Sequence, residues 1–184
     1  TPSNDFLKAI TAKFDLDTVF DLNLSDKSII KLASIINCKN LVILNLSRNK
    51  LSSIQEIEKL SELKLIDISY NKIKSVEPLK GLYKLRDLRA QGNIIEKPKD
   101  FNTWLKALCN LEKLYLQELS GKDYNPICKI EKYREVIFSN SPKLKYLDGT
   151  IKELDFIKDQ VVEKVETNQD IDLQLENFDL KSNI

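Results

Sequence analysis

One eleven-residue phrase recurs three times between Leu41 and Ile95, and it constrains the fold more tightly than any other feature of the chain. The copies are LVILNLSRNKL, LKLIDISYNKI and LRDLRAQGNII, and their first leucines, Leu41, Leu63 and Leu85, mark a constant 22-residue period. Apolar residues fill the first, fourth, sixth and eleventh places, with Ala90 at the sixth place of the third copy, and asparagine holds the ninth. Such a unit contains one short strand whose inward side chains form a single stripe. It cannot bury a core alone, so neighbouring units must stack and share one.

The pattern extends in both directions. Moved back by one period it falls on Val19, Leu22, Leu24 and Ile29, with Lys27 where asparagine belongs, which predicts a degenerate first rung. The far side of each rung is periodic too: Leu32, Ile35 and Cys38 correspond to Ile54, Ile57 and Leu60 and to Val76, Leu79 and Leu82. Cys38 therefore occupies a core position. The next leucine-led segment, LEKLYL, starts at Leu111, four places later than the period counted from Leu85 requires, so the extra residues are inserted between Glu96 and Trp104. Pro98 ends regular structure there, and Phe101 and Trp104 are expected to fold onto the repeat edge. The fifth rung has Leu111, Leu114 and Leu116 but carries Leu119 at the asparagine place. Tyr133, Val136, Ile137 and Phe138 share a helical face, and Leu144 and Leu147 supply a last strand before a turn at Asp148-Gly149.

Stacked rungs leave open ends that need covers. Phe6, Leu7, Ile10 and Phe14 recur at helical spacing and predict a capping helix over Asp5 to Phe14. After Gly149 the period changes: Leu154, Ile157, Val161 and Val165 predict an amphipathic helix of about four turns. Beyond Thr167 the chain is polar and acidic, the composition of a disordered segment, with Ile171, Leu173 and Phe178 as residues a partner surface would order. The expected organisation is a capping segment over 1–18, repeats and C-terminal cap over 19–149, a helix over 150–167 and an acidic tail over 168–184. The fold class is α/β: a right-handed leucine-rich-repeat solenoid of about five to six rungs, with a curved parallel sheet on its concave face.

Composition bears on function by exclusion. Lys+Arg 29 against Asp+Glu 28 gives a net charge of +1, so no global field favours nucleic acid or an anionic membrane. Lys72, Lys74, Lys80, Lys84 and Arg86 form a basic cluster read as solvated surface. There is no His, and Cys38, Cys109 and Cys128 form no CxxC pair, so no metal site and no cofactor are expected. With 4 Gly the chain has no glycine-rich phosphate loop and no nucleophile elbow, so no catalytic residue is assigned and the expectation is a protein that is not an enzyme. No small-molecule substrate, direct nucleic-acid contact or membrane contact is expected. The odd cysteine count suggests a reducing compartment, and the sequons at Asn23 and Asn45 fall inside strands. No apolar stretch has the length of a membrane span, and the first residues lack a signal-peptide pattern. A chain that opens on Thr1 and contains no Met is expected to lack its native N-terminus.

The asparagines Asn49, Asn71 and Asn93 fall where each strand must turn, and a carboxamide both donates and accepts, so their expected role is a structural ladder. Recognition is expected on the residues between the leucines, which project from the concave face. The partner-binding set is Ile43, Asn45, Leu65, Asp67, Tyr70, Asp87, Arg89, Lys113, Tyr115 and Tyr146, with Asp148 on the same face. Ile43 and Leu65 are apolar where the pattern expects solvated residues. One reading makes them the centre of an interface with aromatic anchors and a charged rim, binding a protein partner such as a helix laid in the groove. The other makes them scattered surface apolars, or residues covered by the chain's own terminus.

Several motifs carry a resemblance. The 22-residue rungs followed by Asn125-Pro126-Ile127-Cys128, Tyr133-Arg134, Pro142, Leu144 and Leu147-Asp148-Gly149 resemble the leucine-rich-repeat family with a C-terminal cap, over most of Val19 to Gly149. That family includes phosphatase-1 regulators, the spliceosomal A-prime protein, acidic nuclear phosphoproteins and axonemal dynein light chain 1. FLKAITAKFDLDTVFDLNL, LRDLRAQGN and LEKLYLQELSGKDYNPIC are most similar to the branch typified by leucine-rich repeat-containing protein 61. The resemblance implies a non-enzymatic adaptor, within the cytoplasm and the ciliary axoneme, whose partner is a protein in a larger complex. The alternative it implies is a nuclear ribonucleoprotein subunit or a phosphatase-type scaffold.

Overall fold

The computed structural model describes residues 1–96 and 101–152, with the side chains of Phe101 and Asn102 left out. The expectations for Pro98, for the Phe101 side chain, for the helix over 150–167 beyond Lys152 and for the acidic tail fall outside what is described, while Thr150 and Ile151, at the expected start of that helix, are in a strand. The chain divides into two compact units, Thr1–Gly149 and Thr150–Ile184.

Among the described residues the first unit contains six strands: β1 (Asp21–Asn23), β2 (Ile43–Asn45), β3 (Leu65–Asp67), β4 (Asp87–Arg89), β5 (Lys113–Tyr115) and β6 (Tyr146–Leu147). They pair in parallel and in chain order, and like places of successive rungs face each other: Asp21 with Ile43, Ile43 with Leu65, Leu65 with Asp87, Asp87 with Lys113 and Lys113 with Tyr146. Each strand is short because a rung must turn back within a single period of the repeat. One inward side chain per strand, Leu22, Leu44, Ile66, Leu88, Leu114 and Leu147, is buried at the centre of one continuous core. Opposite the sheet, 3-10 turns over Ala33–Asn37, Gln55–Lys59 and Glu77–Leu79 bring Ile35, Ile57 and Leu79 into the same core. In the second unit the described residues include a short strand, β7 (Thr150–Ile151).

The N-terminal helix α1 spans Asn4–Thr11, shorter than the apolar spacing predicts. Ser3 starts it by accepting a hydrogen bond from the Phe6 N–H at 3.1 Å, and Ala12 ends it in the left-handed region at φ 53°. That turn redirects the chain into a 3-10 turn at Leu16–Thr18, which buries Leu16 and leads Val19 into the first rung. Leu7 alone of the expected stripe is buried; Phe6 and Ile10 are exposed, and Phe14 lies outside the helix at 90% exposure. The inserted segment after Glu96 leads into α2 (Phe101–Ala107), which buries Trp104 and Leu105, with Leu108 following. Helix α3 (Tyr133–Asn140) buries Tyr133, Ile137 and Phe138.

Candidate interaction face

The exposed face of the sheet is held in register from behind. Asn49 Oδ1 accepts from the backbone N–H groups of Lys27 and Ile29 at 3.0 and 2.9 Å, while its Nδ2 donates to the carbonyls of Leu24 and Leu46 at 2.8 and 2.9 Å. Asn71 repeats this one rung on, accepting from Leu51 N–H and donating to the Leu46 and Ile68 carbonyls. Asn93 does the same for Ile73, Ile68 and Ala90. Each asparagine thus closes its own turn and that of the rung before it. The first rung has no predecessor, which is why Lys27 suffices at that place.

The fifth rung departs from the sequence expectation. Leu119 stands at the ninth place but is 72% exposed, and the asparagine role passes to Asn125. Asn125 accepts from Ile95 N–H at 2.9 Å and donates to the carbonyls of Ala90 and Leu116 at 2.9 and 2.6 Å. The intervening residues leave the repeat as a loop, with Gly121 at φ 74° and the Asp123 carbonyl accepting from Gly92 N–H. A fixed period hides this ladder residue. Its available signal is Pro126 directly after it, opening the 3-10 turn Pro126–Lys129.

On the exposed face, one row of side chains crosses the strands as Asp21, Ile43, Leu65, Asp87, Lys113 and Tyr146. Ile43 and Tyr146 are exposed at 38% and 36%, and Leu65 is half-buried. The parallel row runs Asn23, Asn45, Asp67, Arg89 and Tyr115. Asn45 and Asp67 fix their own turns by accepting from the N–H and hydroxyl groups of Ser47 and Ser69. The Arg89 guanidinium forks onto Asp87 at 3.3 and 3.4 Å and lies over the Tyr115 ring at 5.9 Å. That pairing raises the Arg89 pKa and leaves Asp87 only 8% exposed, on the face but already partnered.

At the ends of the strands, Tyr70 sits at φ 54° between the Arg48 guanidinium, 4.6 Å from its ring, and Glu118, which accepts from its hydroxyl. That hydrogen bond, with burial and the Glu118 charge behind it, pushes the Tyr70 pKa up to about 12. The ring crosses directly over Gly92, where a Cβ would fall 2.7 Å from it, so Gly92 is what lets Tyr70 reach across a rung to Glu118. Beside it a cleft of about 300 Å³ is lined by Arg89, Gln91, Tyr115, Gln117, Glu118 and Asp148, and the Gln91 Oε1 there is buried without a hydrogen-bond partner.

Asp148 does not project with the others. It is 2% exposed, and its carboxylate accepts from the N–H groups of Leu116 and Gln117, from the Tyr133 hydroxyl and from Arg134. The left-handed turn at Asp148 and Gly149, with φ of 52° and 82°, points this side chain back under the sheet end. The basic cluster is also largely committed: Lys80 pairs with Glu77, Lys84 with Glu62, and Arg86 donates to the Asn110 carbonyl. Cys38 and Cys128 are free thiols whose pKa values burial pushes up, that of Cys128 to about 11. Among the described residues no cluster of His, Cys, Asp or Glu is arranged to hold a metal ion, and no helix is long and apolar enough to cross a membrane.

The sequence matches no family model, and no curated protein matches it. Solved structures do. An internalin, InlF of Listeria monocytogenes, superposes with a TM-score of 0.59 at 24% identity, over 77% of this chain and 40% of that one. The internalin InlC2 of the same organism gives 0.50 at 26% identity, over 62% and 49%. The chain therefore spans less than half the length of either internalin. A chain of the Drosophila melanogaster SNF/U2A' complex gives 0.56 at 23% identity, over 72% and 74%. These likenesses agree with the parallel register: the chain folds as an α/β leucine-rich-repeat solenoid.

Proposed function

We propose that this chain is a protein-recognition scaffold whose partner seats on the exposed face of β1 to β6. The observation that carries the reading is the exposure of Ile43 beside the half-buried Leu65 on adjacent strands, at places where the repeat leaves side chains outside a core that is already complete. Charged residues flank this apolar pair in its own row, Asp21 on one side and Asp87 on the other, and Tyr115 and Tyr146 stand further along on β5 and β6, the layout of interfaces whose energy is concentrated in a few anchors. The binding set on this reading is Ile43, Asn45, Leu65, Asp67, Tyr70, Arg89, Lys113, Tyr115 and Tyr146, with Asp87 acting through Arg89.

Two settings are open to such a scaffold. The motif resemblance favours the ciliary axoneme, where the chain would dock one structural component onto another. The likeness to the SNF/U2A' complex, which covers nearly three quarters of each chain, favours a subunit of a nuclear ribonucleoprotein. Affinity purification with mass spectrometry separates them by the proteins recovered. In the same experiment Ile43→Asp with Leu65→Asp is expected to leave the fold intact and abolish recovery. Unchanged recovery would sink the proposed face.

A further inference from the structure

We infer that the segment seated on this face is an α-helix lying across the strands, one turn per rung, with a basic side chain against Asp21, apolar ones against Ile43 and Leu65 and an acidic one against Lys113. The inference rests on the proposed use of this face and adds the shape and charge order of the partner.

The shape follows from spacing. Asp21, Ile43, Leu65, Asp87 and Lys113 form one row because the register places them opposite one another on five successive strands. Hydrogen-bonded strands stand about 4.8 Å apart. A helix repeats its side chains along one face about every 5.4 Å, so it drifts by only about 0.6 Å per rung against such a row. An extended segment repeats its same-face side chains about every 6.7 Å and loses about 1.9 Å per rung, most of a rung by the second step. Of the two regular shapes, the helix keeps one side chain over each residue of the row.

The charge order follows from which groups are free. Asp21 is exposed and makes no ion pair among the described residues. Asp87 is buried under the Arg89 fork and calls for no further charge. Lys113 is exposed, with its ammonium 5.5 Å from the Tyr146 ring and no carboxylate paired to it among the described residues. Read across the strands, the face is negative, apolar, apolar, neutralised and positive. The apolar pair is off centre between the two free charges, so a complementary helix fits in one direction only.

The test uses two stapled helical peptides in an alanine and glutamine background. The first carries arginine, leucine, leucine, serine and glutamate at its first, fifth, eighth, twelfth and fifteenth places. The second exchanges the arginine and the glutamate. Turned end for end, the second peptide would set its serine on Ile43 and a leucine on Asp87, so it fits in neither sense. Binding is followed by fluorescence anisotropy and by methyl NMR shifts at Ile43 and Leu65. The first peptide is expected to bind at least about tenfold more tightly than the second. Asp21→Lys with Lys113→Glu is expected to reverse that preference, with the fold checked by circular dichroism. Equal binding of the two peptides, lost in Ile43→Asp with Leu65→Asp, overturns the charge order and leaves the proposed face standing. No binding of either peptide overturns the helical partner. Binding that survives the aspartate substitutions overturns the helix and the face together.

Discussion

Asn71 shares its two amide hydrogens among the carbonyls of Leu46, Ile68 and Ser69 while its Oδ1 accepts from Leu51 N–H, all in a buried position behind the exposed sheet face. Alanine there would leave buried backbone groups unpaired, at a cost of about 2–4 kcal/mol by urea denaturation. Aspartate should cost at least as much, because it turns a donor aimed at carbonyls into another acceptor. Lys27→Asn, the change a consensus would recommend, should alter stability by less than about 0.5 kcal/mol, since no earlier rung presents carbonyls to it. A gain like that of a ladder residue at this position would refute the two-rung role of each asparagine. The same logic explains how legible these residues were. Asn49, Asn71 and Asn93 recur at a fixed interval, whereas Asn125 reaches an equivalent position through a loop whose length no periodicity encodes.

At the level of elements, the C-terminal cap is tied together by one carboxylate. Asp148 joins the segment that leaves β5, through Leu116 and Gln117, to α3 through Tyr133 and Arg134. Burial outweighs these partners and raises its pKa above the ordinary carboxylate value. A raised folded-state pKa means that the stability this group contributes is fully present below its unfolded pKa and is lost as pH rises through the folded one. The deficit of Asp148→Asn relative to the wild type should therefore be larger at acid pH than at pH 7. Thermal melts of both proteins at pH 3.5 and pH 7 check the sign. Sequence position alone set Asp148 on the exposed face, because strict alternation continues past Leu147; the left-handed turn at Asp148-Gly149 breaks that alternation. The α1 stripe failed for a similar local reason. Phe14 keeps helical spacing from Ile10, but the left-handed residue Ala12 ends the helix before it.

For the whole first unit, the shared core makes the rung the unit of exchange. Removing residues 63–84 would join Glu62 to Leu85, set Ile43 opposite Asp87 and let Asn93 take over from Asn71. The shortened chain is expected to unfold in one cooperative transition at a lower temperature and to lose its partner along with Leu65. Removing residues 63–73 instead would put apolar places against polar ones across the break, and no cooperative transition should remain. Circular-dichroism melts distinguish the two.

The 22-residue period by itself determined the sheet, its parallel order, the inward leucines and three of the ladder asparagines. The physical reason is that stacking repeats the same local environment, so one unit's pattern specifies its neighbours. Tertiary structure decided what happens wherever repetition stops. It buried Asp148, extruded Leu119, gave the ladder role to Asn125 and turned Asp87 toward Arg89. The row of Asp21, Ile43, Leu65, Asp87 and Lys113 follows from one place of the period and the strand register bears it out; tertiary structure decided which of its charges is already paired, because a contact such as Asp87 with Arg89 depends on side-chain placement that no spacing encodes.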